Sequence, residues 1–423
     1  MKQAGLILAF AISPAIAAAS GGLTQNTAMT APVASDEYIV GGSEKIVMVG
    51  SESGFVEWVR GFRQRALARG IEPDIFDSAF SGVNYDSSII EKDRNQSEFV
   101  KPIWEYLDKA VSEKRVENGR KALRRYRKLL DQIEERYGVD KEVVVAIWGL
   151  ESSFGENRGD LALIQSLATL AYDGRRGAFF EQQLVAALQI VQGGNVAPKN
   201  MTGSWAGAMG HTQFIPTSYL AFAVDYDGDG RRDIWSDDPA DALASTAAYL
   251  AKSGWRLRQP WGLEVQLPSE FDYGLTGDRV VRSTSDWTAL GIRDTKGRQV
   301  PNHGSASLLL PAGARGAAFL VFPNFRSIER YNAADAYVIA VGHLSDRLKG
   351  GDPIQASWPR NDRSLQFAER VELQERLTAA GFDTGGTDGK VGPKTIAAVK
   401  AFQRSIGMVQ DGYASLDILT KLR

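Results

Sequence analysis

The stretch Ile147-Trp148-Gly149-Leu150-Glu151-Ser152-Ser153-Phe154-Gly155 ends an apolar run on a carboxylate, Glu151. The run starts at Val143-Val144-Val145-Ala146-Ile147 and follows a charged stretch of helical texture. The sequence therefore predicts a buried helix with Glu151 late on it. A charge in such a place costs several kcal/mol, so a carboxyl group there tends to keep its proton. A carboxylic acid protonated near neutral pH is what a glycosidic oxygen requires as proton donor. The same placement also suits a structural acid satisfied by an arginine or by backbone donors. Residue type alone leaves both readings open.

About fifty residues later comes Gly203-Ser204-Trp205-Ala206-Gly207-Ala208-Met209-Gly210-His211-Thr212-Gln213-Phe214-Ile215-Pro216-Thr217-Ser218-Tyr219. Its glycines permit close backbone approach, and Ser204, Gln213 and Tyr219 offer polar contacts amid apolar surface. That mixture suits a sugar, whose hydroxyls need hydrogen bonds while its faces stack on aromatics. It equally describes a Gly-rich turn entering a buried helix.

The chain around these motifs has 423 residues, enough for two domains or more and for a sizeable core. A net charge of −2 and a pI of about 6.1 argue against a general nucleic-acid binder. The basic cluster Arg120, Lys121, Arg124, Arg125, Arg127, Lys128 reads as a solvated helix face. Lys2, the apolar stretch Leu6 to Ile12 and the small-residue run Ala15 to Ser20 describe a secretory signal peptide over residues 1–19. The chain has no cysteine, which excludes disulfides, thiolate zinc sites and a cysteine nucleophile. It also excludes a lipid anchor on an N-terminal cysteine, so a soluble periplasmic protein without membrane attachment is expected. The three histidines, His211, His303 and His343, lack metal-ligand spacing and are read as ordinary. The serines near Glu151 have no partnered histidine, which disfavours a serine hydrolase.

Residues 20–54 read as a flexible leader. From Phe55 the pattern is helical, with Phe55, Trp58, Val59, Phe62 and Leu67 on one face, and helix-like segments continue to about Trp255. Among them are Glu117 to Tyr137, Lys141 to Glu151, Phe179 to Gln192 and Asp241 to Lys252. Short β-branched runs follow between Gly262 and Val321, then a helix over Ala333 to Leu348. Gly350-Gly351-Asp352-Pro353 opens a polar linker over 351–362, and residues 363–423 form a separate small unit. Asp225-Tyr226-Asp227-Gly228-Asp229-Gly230-Arg231 has the first half of a calcium loop: side-chain oxygens at positions one, three and five, and a backbone carbonyl at Arg231. Ser236 stands where a bidentate Glu would close it.

Glu-Ser-x-x-Gly followed by Gly-Ala-Met-Gly-x-x-Gln-Phe-x-Pro-Thr-Ser-Tyr resembles the lytic murein transglycosylases of the membrane-bound B type, over most of residues 55–348. The resemblance implies an α+β, mainly helical, lysozyme-like catalytic domain over 55–350. It makes Glu151 the sole catalytic acid/base. It implies substrate contacts from Arg175 and Arg176, Ser204 and Gln213, Tyr331, Asn332 and Tyr337, with Tyr106 as an earlier groove tyrosine. No cofactor is implied for the chemistry. A structural calcium is, in a longer loop closed by a later acid that looks like Asp241, though this chain has two extra residues before it. Glu156 and Asp160 are the alternatives for a second carboxylate in a hydrolytic muramidase, and both read as solvated loop acids. A non-catalytic wall-binding scaffold is the reading from another class.

The tail has its own resemblance. Leu373-Gln374, Leu377, Gly381-Phe382, Asp388-Gly389, Gly392-Pro393, Thr395, Ala398-Val399, Phe402-Gln403 and Asp411-Gly412 are similar to the small three-helix peptidoglycan-binding domain. It implies glycan strands as partner. Ile396 and Ile406 are counted there with Leu373, Leu377, Val399 and Phe402 as apolar helix faces, and the linker as a partly stiff tether.

Overall fold

The computed structural model describes residues 52–94 and 101–423. The expected signal peptide and nearly all of the expected leader lie outside the described residues. The first helices are α1 (Glu52–Ala68), α2 (Pro73–Ala79), α3 (Ser87–Arg94), α4 (Ile103–Ala110), α5 (Glu113–Arg125), α6 (Arg127–Tyr137) and α7 (Lys141–Ser152). The single helix expected over Glu117 to Tyr137 is thus two. Tyr126 interrupts it at φ −104°, ψ 21°, and its ring packs edge-on against Trp148, 5.5 Å between centroids. The six basic side chains of that region are all exposed.

Two short strands, β1 (Leu161–Ala162) and β2 (Thr202–Gly203), pair antiparallel around α8 (Leu163–Asp173) and α9 (Gly177–Gln192). Then come α10 (Pro216–Phe222) and α11 (Ala240–Lys252). Next in the chain are β3 (Gly262–Gln266), β4 (Arg282–Ser283), α12 (Thr284–Ala289), β5 (Arg293–Asp294), β6 (Ser305–Leu309) and β7 (Ala318–Val321). The strands form one antiparallel sheet in the order β4-β6-β7-β3-β5. Strand β7 is buried on both faces. Phe319 and Val321 join the helical core, while Ala318 and Leu320 join the sheet's own core with Trp287 and Ile292, as the two-residue period of a strand requires. Helices α13 (Pro323–Tyr331) and α14 (Asp335–Leu348) close the part of the fold that precedes the tail. The observed class is the expected one, mainly helical with a small sheet.

Helix α7 is the centre of this arrangement. Val143 to Ile147 are 0% exposed, so the helix is apolar on every side and lies inside the protein, against α14, α5 and α11. Burial overrides the low helix propensity of its three consecutive valines.

The tail comprises α15 (Phe367–Ala379), α16 (Pro393–Ser405) and α17 (Leu416–Leu422). Its core is Leu373, Leu377, Ala398, Val399, Phe402, Ile418 and Leu419. Ile396 and Ile406, counted with that core from the sequence, are instead exposed at 37% and 43%, because Ile396 stands at the edge of the face buried by Thr395, Ala398, Val399 and Phe402, and Ile406 follows the last residue of α16. The tether is also not free. The Gln355 and Ala356 amides donate to Glu264, Arg360 pairs with Asp108, and Arg315 pairs with Asp362. The tail itself is docked: Asp411 accepts from the Ala314 amide at 2.8 Å, and the Lys400 ammonium donates to Tyr273 and Thr276.

Candidate active site

Helix α7 stops one residue after Glu151. Ser153 and Phe154 both adopt left-handed backbone, φ 53° and 62°, a conformation that costs a non-glycine residue on the order of 1 kcal/mol. The turn is held because the Phe154 ring folds back onto Gly149, where an added Cβ would come within 2.6 Å of it. Glu151 is left at the helix end, partly accessible, with Tyr337 Oη donating to its Oε1 at 2.6 Å. Burial raises its carboxyl pKa to about 8, the Tyr337 bond acting in the other direction. The acid is therefore protonated near neutral pH, as its sequence setting predicts.

Three phenols surround it. Burial pushes Tyr106, Tyr331 and Tyr337 above the ordinary tyrosine value, and the Glu151 charge pushes each further. Tyr337 stands on α14, which packs against α7. Tyr331 is fixed by its hydroxyl bond to the Thr212 carbonyl and by the rings of Phe214 and Tyr249. Among the described residues the buried Tyr106 hydroxyl has no hydrogen-bond partner. Asn332 is buried, and its Oδ1 accepts from the Ala334 amide at the start of α14. Glu156 and Asp160 are exposed on the loop after α7.

The Gly-rich motif forms a tight loop beside the helix end. Ser204 Oγ accepts from the Ala208 amide, and Met209 pairs with both Gly203 and Phe214. Gln213, at φ 54°, uses its side-chain amide to donate to the Gly210 and Arg158 carbonyls. Its carbonyl oxygen remains as the acceptor the side chain can offer a ligand. Arg175 and Arg176 behave differently from a free cationic pair. Both bond Asp93, itself 2% exposed, and among the described residues none of their hydrogen bonds reaches the Glu151 cluster.

The residues that stitch the two motifs together were missed in the sequence. Trp148 Nε1 donates to His211 Nδ1 at 3.1 Å, and Ser152 Oγ donates to the His211 carbonyl. Reading histidines only for metal spacing passed over His211, although it sits inside the second motif.

Carboxylate oxygens of Asp225, Asp227 and Asp229 lie within 4.8 Å of one another, a donor set that fits a hard cation. Asp241 lies outside that 4.8 Å cluster. Its two oxygens accept from the Tyr226 and Asp233 amides, at 2.8 and 2.7 Å, so it clasps the loop from the first turn of α11. The residues present thus supply half a coordination shell and a brace.

A lysozyme-like helical domain with a half-buried glutamate at the end of its central helix, followed by a three-helix tail, defines a class. Residues 54–346 match the family described as transglycosylase SLT domain, and residues 368–422 match a peptidoglycan binding domain. The chain belongs to the transglycosylase SLT-domain family. Within it, the chain is 34% identical over 245 residues to membrane-bound lytic murein transglycosylase B of Escherichia coli K12, an alignment covering 57% of this chain and 66% of that protein. It superposes on SltB3 of Pseudomonas aeruginosa, solved in complex with NAG-anhNAM-pentapeptide, with a TM-score of 0.85 at 49% identity. That superposition covers 87% of this chain and 99% of the other. It also resembles Slt35 of Escherichia coli in complex with calcium, with a TM-score of 0.59 at 29% identity, covering 69% of this chain and 92% of that one. Among the described residues no helix is long and apolar enough to cross a membrane.

Proposed function

We propose that this protein is a lytic transglycosylase that cuts the β-1,4 bond between N-acetylmuramic acid and N-acetylglucosamine in peptidoglycan. The observation that carries the reading is Glu151: one carboxyl group, lifted to about 8 by burial and held by Tyr337. Glu151 gives its proton to the oxygen leaving C1 of the muramic acid, and the substrate's own N-acetyl group helps stabilise the developing cation. The resulting carboxylate takes a proton from the C6 hydroxyl, which closes onto C1 as a 1,6-anhydro ring. The nucleophile is already tethered, which lowers the entropic cost of attack. Family membership and the likeness to a structure holding an anhydro product support this over hydrolysis, and the exposure of Glu156 and Asp160 argues the same way.

Tyr106, Ser204, Gln213, Tyr331, Asn332 and Tyr337 line the saccharide site in this reading, and Arg175 and Arg176 contact the strand with Asp93 holding them. Residues 55–350 form the catalytic domain, 351–362 its connection and 363–423 the wall-binding domain. Export to the periplasm through residues 1–19 belongs to the same reading. A structural calcium held by Asp225, Asp227, Asp229 and the Arg231 carbonyl, with Asp241 bracing the loop, is part of the same proposal. Such an ion neutralises repulsion among the three carboxylates and supplies nothing to bond cleavage. Release of soluble fragments from labelled sacculi by the wild type, and none by Glu151→Gln that still sediments with them, tests the assignment. Equal release by both would remove Glu151 from it.

A further inference from the structure

We propose that His211 is a positioning residue for Glu151, acting as a keystone between the turn at Ser236 and the catalytic end of α7. The inference rests on the proposed role of Glu151. The ring is buried, the residue 3% exposed, and its two nitrogens face opposite ways. Nδ1 accepts from Trp148 Nε1 at 3.1 Å, one turn before Glu151 on the same helix. Nε2 lies 2.7 Å from the Ser236 carbonyl and 3.2 Å from the Arg158 guanidinium. A carbonyl can only accept, so Nε2 carries the proton and Nδ1 is left as the acceptor that the indole needs. One tautomer of the neutral ring satisfies the indole and the carbonyl, and Arg158 Nη1 donates to the same Ser236 carbonyl. Burial, with the Arg158 charge, favours that neutral ring and holds its pKa below the ordinary histidine value. The Ser236 bond, Asp237 and Asp233 act against them.

The surroundings leave the ring no alternative seat. A Cβ on Gly155, which has φ +89°, would lie 2.5 Å from Nδ1, so the backbone after Glu151 approaches the ring at a place open only to glycine. Ser152, next to Glu151, donates to the His211 carbonyl and accepts from the Gly155 amide. Trp148, Ser152 and Gly155 of the glutamate motif therefore all converge on this histidine of the second motif. On its far side Arg158 also bonds the Ser236 carbonyl and pairs with Asp237. Losing the ring removes the Trp148 bond and leaves the Ser152 bond to the backbone carbonyl of residue 211 to hold the last turn of α7 against the loop that carries Ser204 and Gln213. The loss falls on the placement of the acid, and only secondarily on the affinity for glycan.

The test compares His211→Phe, which fills the space without an acceptor, with His211→Gln, whose amide can accept from the indole and donate to the carbonyl. Cleavage of a short soluble glycan is measured together with the Trp148 indole N–H resonance, assigned by its loss in Trp148→Phe. A displaced helix end predicts a kcat lower by roughly tenfold or more in His211→Phe, with KM changed by less than about threefold. His211→Gln should restore most of it, and Trp148→Phe added to His211→Phe should cost little more. Wild-type kcat in folded His211→Phe, or a glutamine variant as impaired as the phenylalanine one, would overturn the proposal. If His211→Phe fails to fold, Trp148→Phe removes the same bond from the other side, and an unchanged kcat there would refute it equally. A wild type that cleaves no glycan at all would instead sink the proposed function, while the indole resonance would still report whether the His211 contact exists.

Discussion

Replacing Glu151 by Gln should abolish cleavage and, at neutral pH, make the protein more stable. In the unfolded chain this carboxyl group ionises near 4.5, and in the fold its pKa is lifted to about 8. The native state therefore binds the extra proton throughout that window, and its stability falls as pH rises through it. Each tenfold of disfavoured ionisation is worth about 1.4 kcal/mol, so at pH 7 the acid costs the fold about 3 kcal/mol. The figure is a ceiling, since part of Glu151 is accessible. Glutamine has the same shape, still accepts from Tyr337 and has no proton to lose. Urea unfolding of both proteins, from about pH 4 to about pH 9, reads the difference directly. The two stabilities should coincide at the acid end, then separate in favour of the glutamine variant and cease to diverge above about pH 8. A gap independent of pH, or a wild type more stable at neutral pH, would refute the desolvated-acid reasoning.

Tyr337→Phe removes a donor that favours the charged form of Glu151, so the alkaline limb of the pH–rate profile should move to higher pH while kcat falls; an unmoved limb would separate Tyr337 from the acid. Asp93→Asn should destabilise the fold by about 2 kcal/mol in denaturant titrations, because it leaves two partly exposed arginines without their buried partner; an unchanged midpoint would make the pair dispensable. Melting temperatures with calcium and with chelator should separate, the calcium form being higher by linkage; coincident melts would reduce Asp225, Asp227 and Asp229 to turn residues. Ending the chain near Asp352 should weaken sedimentation with sacculi yet spare cleavage of soluble fragments. It should also lower the melting temperature of the remainder, because Tyr273, Thr276 and Ala314 lose their partners in the tail.

What could be read from residue order follows what is local. The apolar run before Glu151 announced both a buried helix and a raised carboxyl pKa, since both depend on burial alone. The tail helices were equally legible from spacing, although Ile396 and Ile406 needed the position of the neighbouring helices to be seen as exposed. Pairings across long separations were not legible. Nothing in the sequence ties Arg175 and Arg176 to Asp93, or Tyr337 to Glu151, except the resemblance that grouped some of them. Asp241 looks like a loop-closing ligand by position, and only the structure shows that its two oxygens accept from the Tyr226 and Asp233 amides. The tether looked free because polar residues with two prolines fit a flexible linker as well as a strap. Glu264, Asp108 and Arg315 decide between them.

Mass analysis of the muropeptides released from purified sacculi tests the central claim most directly. A single catalytic acid working with the substrate's own C6 hydroxyl predicts products ending in 1,6-anhydromuramic acid, each lighter by one water than its hydrolytic counterpart. Products with reducing muramic acid ends would contradict it, and would require a second carboxylate and an attacking water beside Glu151.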